Sequence, residues 1–517
     1  MLPRANNEWS PREAAHLMRR AGFGGSPTEI QRIHQLGREA AVDGLLNPDE
    51  PIDAIPVPDW AEPQKVAAQR RERFAMIREA RMAQRDMIPK EREEARREMR
   101  REMRREQRRN LVDAGDWWFD RMMRSRAPLR EKMVLFLHDH FATSAQKVRR
   151  PVLMLAQNQL FRKHAFGDFR ELTHEIAVDP AMMLYLDTHR SKKGNPNENF
   201  AREVMELFTL GEGHYTEQDI KEAARAFTGY QLNPIKGEVT HNKRQWDRGP
   251  KTVLGKSGNF NGARIIDLLF EQEAAAHYLP SKWWTFFVED EAPKAVVAEL
   301  AKTFKASGFR IEPVLREIFL SRAFYDGPVI RNQIKSPVQF LLQMGRELEI
   351  DELPRGYVRT AQRGLGQQLF HPPNVAGWDW GRAWINTNTL LNRYHTAGLV
   401  TKGAIDVKGG QDEGGPMMNM AAAGGRPGQR IIARMMKRSM ARWKGPDYET
   451  IAPRALRERP AELAEALIDR LFQADPGDKQ RRIFVAYAKA KKPGEFTDRE
   501  VAELCHLMMS TPHYQLC

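Results

Sequence analysis

Apolar residues recur at three- and four-residue intervals along most of this chain, which predicts a largely helical protein. Ser10 before Pro11 and Ser26 before Pro27 each offer an N-cap followed by proline at the first helical position. Gly22 to Gly25 close the first of these helices and Gly37 the second; Arg38 to Leu46 reads as a third. Trp117 to Met123 has helical apolar spacing, and Leu129 to Leu137 leads into His138-Asp139-His140. Further helices are expected at 151–165, 169–178, 200–210, 217–229, 263–271, 273–288, 293–307 and 311–320, and from Pro337 to Leu348. The less regular stretch 231–262 has room for short strands.

Breaks in this pattern divide the chain. Residues 1–64 are N-terminal helices and a connector with five prolines between 48 and 63. Residues 65–110 form a charged insertion, a long helix or helical hairpin that Pro89 breaks or kinks. Its second half repeats Arg-Arg-Glu-Met from Arg96, and this four-residue period drifts around a helix, so it makes no coiled-coil seam. Residues 111–401 are the helical core, 402–430 a Gly/Met-rich flexible loop, and 431–517 C-terminal helices. The expected fold class is mainly α: a large multi-helix globular core, an inserted charged helix and few short strands.

Composition changes the picture in three respects. Of 517 residues, 41% are hydrophobic and 29% charged, which is globular rather than disordered. The net charge of +14 suits an anionic partner: nucleic acid, phospholipid headgroups, or a sulfated or uronic polymer. Glutamate in every arginine unit weighs against nucleic-acid binding through residues 90–109 without excluding it. Two cysteines, Cys505 and Cys517, provide no disulfide framework and no cysteine-based zinc site. Met1 to Arg20 lacks the apolar core of a signal peptide, and no window reaches the ~20 apolar residues of a membrane span. A soluble, unexported chain is the expectation.

Candidate chemistry concentrates in two places. His138 and His140 flank Asp139, and Asn197 to Gly211 carries Glu198, Asn199, Arg202, Glu203 and Glu206 on one expected helix. Glu198, Arg202 and Glu206 fall at successive four-residue steps, so Arg202 can pair with either carboxylate. Three readings follow. His138 and His140 with Glu203 or Glu206 could hold one divalent transition metal. Glu203, Glu206 and Asp139 could serve as metal-free acid/base groups. The whole cluster could instead be a buried structural network. Residues Glu171 and His174 have the spacing of di-iron bundles, but a lone motif reads better as a solvated helical face. Asp247, Arg248 and Lys251 sit in a Gly/Pro-punctuated segment suited to an anionic group, with a surface turn as the alternative. Asn374 and Trp378, with Trp380 and Trp384, offer either aromatic platforms for sugars or bases, or a buried anchor. No G-x-S-x-G, P-loop or dinucleotide fingerprint is present, so nothing points to an ATPase, a dehydrogenase or an α/β hydrolase.

The order of several segments resembles the bacterial domain of unknown function 1800 family. The resemblance is carried by Leu17 to Gly24, Leu135 to Phe141, Asp179 to Met182 with Tyr185 to Asp187, and Pro196 to Gly211. Lys251 to Gly255, Lys335 to Val338, Pro372 to Trp378 and Ser510 to Cys517 complete it. It implies a helical fold and a bacterial origin, and supplies no established activity. Many relatives are exported, whereas the signal is missing here. The functional expectation is a hydrolase or transferase acting on an anionic or carbohydrate polymer, with Arg202, Asn199, Asp247, Lys251, Asn374 and Trp378 as substrate binders. A non-catalytic assembly or polyanion-binding protein is the alternative.

Overall fold

Reciprocal caps set the first helix starts. Ser10 accepts from the Glu13 amide while the Glu13 carboxylate accepts from the Ser10 amide, and α1 (Pro11–Arg20) begins there. Ser26 and Glu29 repeat the device for α2 (Pro27–Leu36), and α3 (Arg38–Leu46) follows Gly37. This computed structural model describes residues 1–83, 88–233, 236–408, 442–491 and 496–517.

The charged segment is a pair of helices, α4 (Pro63–Ala83) and α5 (Pro89–Arg124), with Pro89 opening the second. Helix α5 is one rod of 36 residues. It passes residue 110 without a break, running from exposed arginines to the buried Trp118 and Met122. There follow α6 (Pro128–His140), α7 (Ala145–Val148), α8 (Pro151–Lys163), α9 (Phe169–Ala177), α10 (Pro180–Tyr185) and α11 (Asn199–Glu203). Helix α11 continues as a π-helix over Val204–Thr209, and α12 (Glu217–Ala226) comes next. The expected strands form two antiparallel hairpins, β1 (Tyr230–Asn233) with β2 (Glu238–His241) and β3 (Lys251–Val253) with β4 (Lys256–Gly258).

The rest of the body is α13 (Gly262–Phe270), α14 (Glu273–Phe287), α15 (Lys294–Ala306), α16 (Ile311–Leu320), α17 (Pro337–Glu347), α18 (Arg355–Leu365) and α19 (Thr387–Lys408). Helix α19 occupies the start of the segment expected to be a loop; residues 409–430 of that segment lie outside the described residues. Helices Pro460–Phe472, Asp478–Lys489 and Asp498–Met509 follow, the last packed along α19. One continuous apolar core joins α1 to the C-terminal helices, so the mainly helical expectation is met.

A charge sits inside that core. Glu131 on α6, Arg121 on α5 and Arg162 on α8 all have side chains 0% exposed. Glu131 Oε1 accepts from Arg121 Nε at 2.7 Å and Arg162 Nε at 2.7 Å, and its Oε2 accepts from Arg162 Nη2 at 2.8 Å. The two remaining Arg121 nitrogens donate to the carbonyls of Ile52 and Ile55, each at 2.7 Å, which fastens the proline-rich connector. Both guanidinium groups also lie against the Trp117 ring. Burial pushes the Glu131 carboxyl up, but Arg162 and Arg121 reverse this and hold it below the ordinary range.

Removing one member of such a cluster leaves buried charge uncompensated. Glu131→Gln is therefore expected to destabilise the protein by about 3 kcal/mol or more. Because the folded-state pKa is depressed below the ordinary 4.5, the wild-type advantage holds above that value. It is lost progressively as pH falls from there through the still lower folded value. Urea denaturation of both proteins reads this; an unchanged midpoint would contradict the assignment.

Candidate functional site

Two segments far apart in sequence meet at Asp139, on the last turn of α6. Its side chain is buried. Oδ1 accepts from the Trp378 amide at 2.7 Å and Oδ2 from the Trp380 indole at 3.1 Å. Gly377 adopts φ +90°, and a Cβ there would stand 2.7 Å from the Asp139 carbonyl oxygen and collide with its carboxylate. Only glycine permits that approach. Burial pushes the Asp139 carboxyl up, opposed by the Trp378 amide, Lys282 and the Trp380 indole. Burial moves the Lys282 ammonium the other way, down, and Asp139 resists that change.

Lys282 opens onto a polar row. Its Nζ lies 5.2 Å over the Tyr278 ring, one turn earlier on α14. The Tyr278 hydroxyl donates to the Leu207 carbonyl at 2.9 Å, and burial, with Glu206 and Glu212, raises its pKa to about 12. Gly211, at φ +82°, gives the Tyr278 ring room: a Cβ would come within 3.1 Å of it.

Beyond Tyr278 lies the π-helix. Its wider turns are seen in the Thr209 hydroxyl donating to Val204 O and the Leu210 amide donating to Met205 O at 2.9 Å, each five residues back. Two carbonyls near its end, Leu207 and Phe208, are met from outside, by Tyr278 and by His140 Nε2 at 3.0 Å. The segments holding His140 and Glu206 therefore do meet, through backbone. Of the two carboxylates that spacing offers Arg202, the structure pairs it with Glu198 and not with Glu206. Glu206 accepts from the Tyr215 hydroxyl at 2.8 Å. Arg202 grips Glu217 with two bonds of 2.7 and 2.9 Å and touches Glu198 at 3.5 Å. Glu203, partly buried between them, makes no side-chain hydrogen bond or ion pair among the described residues. Burial and then the like charge of Glu206 raise its pKa, with Arg202 opposing; across from it, burial and then Glu203 raise that of Tyr185.

The other expected site residues are placed as follows. His138 stands among Trp118, Phe161, Phe370 and Trp378, with neither ring nitrogen hydrogen-bonded among the described residues, and burial lowers its pKa to about 3. His140 stands among Phe136, Phe141, Phe169, Phe208 and Tyr278, and burial keeps it neutral. The two cages share no ring. Two residues apart on a helix the imidazoles diverge, and among the described residues neither joins a group of three metal-ligating side chains. The expected metal centre at His138 and His140 is not assembled. Asn199 is exposed and donates to Leu186 O at 3.3 Å. Asp247 is gripped by Arg225 at 2.9 and 3.2 Å, and Lys251 donates to the carbonyls of Asp247 and Gly249 at 2.6 and 2.9 Å. Both therefore brace a turn. Asn374 accepts from the Ala376 amide at 2.8 Å and so shapes the turn that presents Gly377. Trp378 and Trp384 are buried anchors, while Trp380 is 42% exposed. Sequence reasoning missed Lys282, Tyr278 and Tyr215. The four-residue spacing of Tyr278 and Lys282 inside the apolar α14 was the available signal.

Fold and site together define a large, mainly helical body whose polar row runs from Asp139 through Lys282 and Tyr278 to Glu206 and Glu203. The chain belongs to the family described as protein of unknown function (DUF1800), whose model matches residues 16–516. No curated protein and no solved structure matches it. Among the described residues no helix is long and apolar enough to cross a membrane.

Asp139→Asn is expected to flatten the pH dependence of stability. The folded-state pKa is raised above the ordinary 3.8, so the native state retains a proton the unfolded chain has lost, and stability falls as pH rises from 3.8 through the higher folded value. The amide cannot accept from both donors with two oxygens, so the variant also loses about 1–3 kcal/mol. Thermal unfolding across this range reads both effects; a variant with the wild-type slope would refute the first.

Proposed function

We propose that the face bearing Glu203 and Glu206 is an acid/base centre of a hydrolase or transferase acting on an anionic or carbohydrate polymer. The observation that carries this reading is Glu203: a partly buried carboxyl with raised proton affinity and, among the described residues, no side-chain hydrogen bond or ion pair, beside a second carboxylate oriented by Tyr215. Glu203 would exchange the proton and Glu206 would stand as its fixed neighbour. A π-helix at this point supports the reading, since such turns gather at functional sites. The exposed ring of Trp380 supplies an apolar platform of the kind sugars stack on, and the +14 net charge favours an acidic polymer. Arg202 would reach a substrate only by releasing Glu217.

The test is release of reducing ends from uronic and sulfated polysaccharides. Wild-type activity is expected to fall at least about 10²-fold in Glu203→Gln. The acid limb of its pH profile should lie above the ordinary glutamate value of 4.5. Cleavage at equal rates by both proteins, or by neither, would overturn the proposal.

One observation favours polyanion binding as a second reading. From Arg96 to Arg109 all eight arginines of α5 are exposed, while Met99 and Met103 are partly covered. Arg97, Arg101, Arg105 and Arg109 follow one another about 6 Å apart along the axis. Replacing these four by glutamine is expected to lower the salt concentration that elutes the protein from heparin. Unchanged elution would remove this reading.

A further inference from the structure

We infer that His164, Glu171 and Glu175 form a binding site for a divalent transition-metal ion, separate from the polar row and independent of the acid/base reading. His164 caps the C-terminus of α8, and its side chain is 4% exposed. Asp168 starts α9 by accepting from the Arg170 and Glu171 amides at 2.7 and 3.1 Å. That start places Glu171 and Glu175, four residues apart, on the face of α9 turned toward His164. One ligand atom from each of the three lies within 4.8 Å of the other two. His174, three residues after Glu171, bonds Asp267 at 3.0 Å.

The spacing suits coordination. His164 Nε2 is 3.0 Å from Glu175 Oε1. Two ligands held about 2.1 Å from one ion at the tetrahedral angle would stand about 3.4 Å apart, so a bound ion asks only for a small widening of the present contact. The Glu171 carboxylate has no hydrogen bond or ion pair among the described residues and is exposed, so it can close on an ion. An imidazole with two carboxylates favours zinc and its neighbours over magnesium or calcium. The exposed side leaves room for solvent ligands. One group opposes the ion: Lys163 Nζ holds the same Glu175 oxygen at 2.7 Å and must swing away.

That competitor makes the test specific. Zinc titrated into the full-length, chelator-treated protein should bind at one equivalent and raise the thermal midpoint. His164→Gln and the exposed Glu171→Gln should each weaken zinc at least about tenfold, the size that even outer partners of a metal carry. Lys163→Gln should instead tighten it, a change that a purely structural ion pair would not produce. Failure to take up one equivalent, or affinities unmoved by His164→Gln and Glu171→Gln, would overturn the inference. Neither result touches Glu203, whose test is polymer cleavage.

Discussion

The placement of α6 rests on Glu131. Two arginines from α5 and α8 converge on this one carboxylate, and Arg121 reaches on to the backbone of the proline-rich connector. Charges this deep are tolerated only when every donor and acceptor is matched. The requirement fixes the three helices relative to one another far more narrowly than apolar packing alone, which accepts many similar arrangements. Helix α6 then delivers His138, Asp139 and His140, about two turns further on, to three different environments.

Those environments explain why adjacent polar residues serve unlike ends. His138 is a neutral ring among aromatic rings. Asp139 gathers the Trp378–Trp380 loop through two donors and one glycine. His140 braces the end of the π-helix. Their common effect is to hold the carboxylates of Asn197 to Gly211 beside α14, where Tyr278 and Lys282 complete the row. Most of the polar side chains here are therefore occupied in holding position, whereas Glu203 makes no side-chain hydrogen bond or ion pair among the described residues.

Helix starts were legible because they are local: Ser10, Ser26 and Pro89 act within one turn. The two hairpins were legible as an interruption of helical spacing. The π-helix was not, because its last carbonyls depend on Tyr278 and His140, which come from elsewhere in the fold. Arg202 illustrates the same limit. Sequence spacing pairs it with Glu198 or Glu206, yet its strong partner is Glu217, brought back by the turn after Gly211. The divergence of His138 and His140 did follow from helical geometry, but their enclosure by nine separate rings required the tertiary structure.

The continuity of α5 has a mechanical corollary. At 1.5 Å per residue its 36 residues make a rod of about 54 Å. Its outer end is the arginine-rich arm; its inner end carries Trp118, packed on His138, and Arg121, bonded to Glu131. With no joint between them, the arm is a lever whose fulcrum is the core itself. A tug or twist at the arginines is delivered to the helix that bears Asp139.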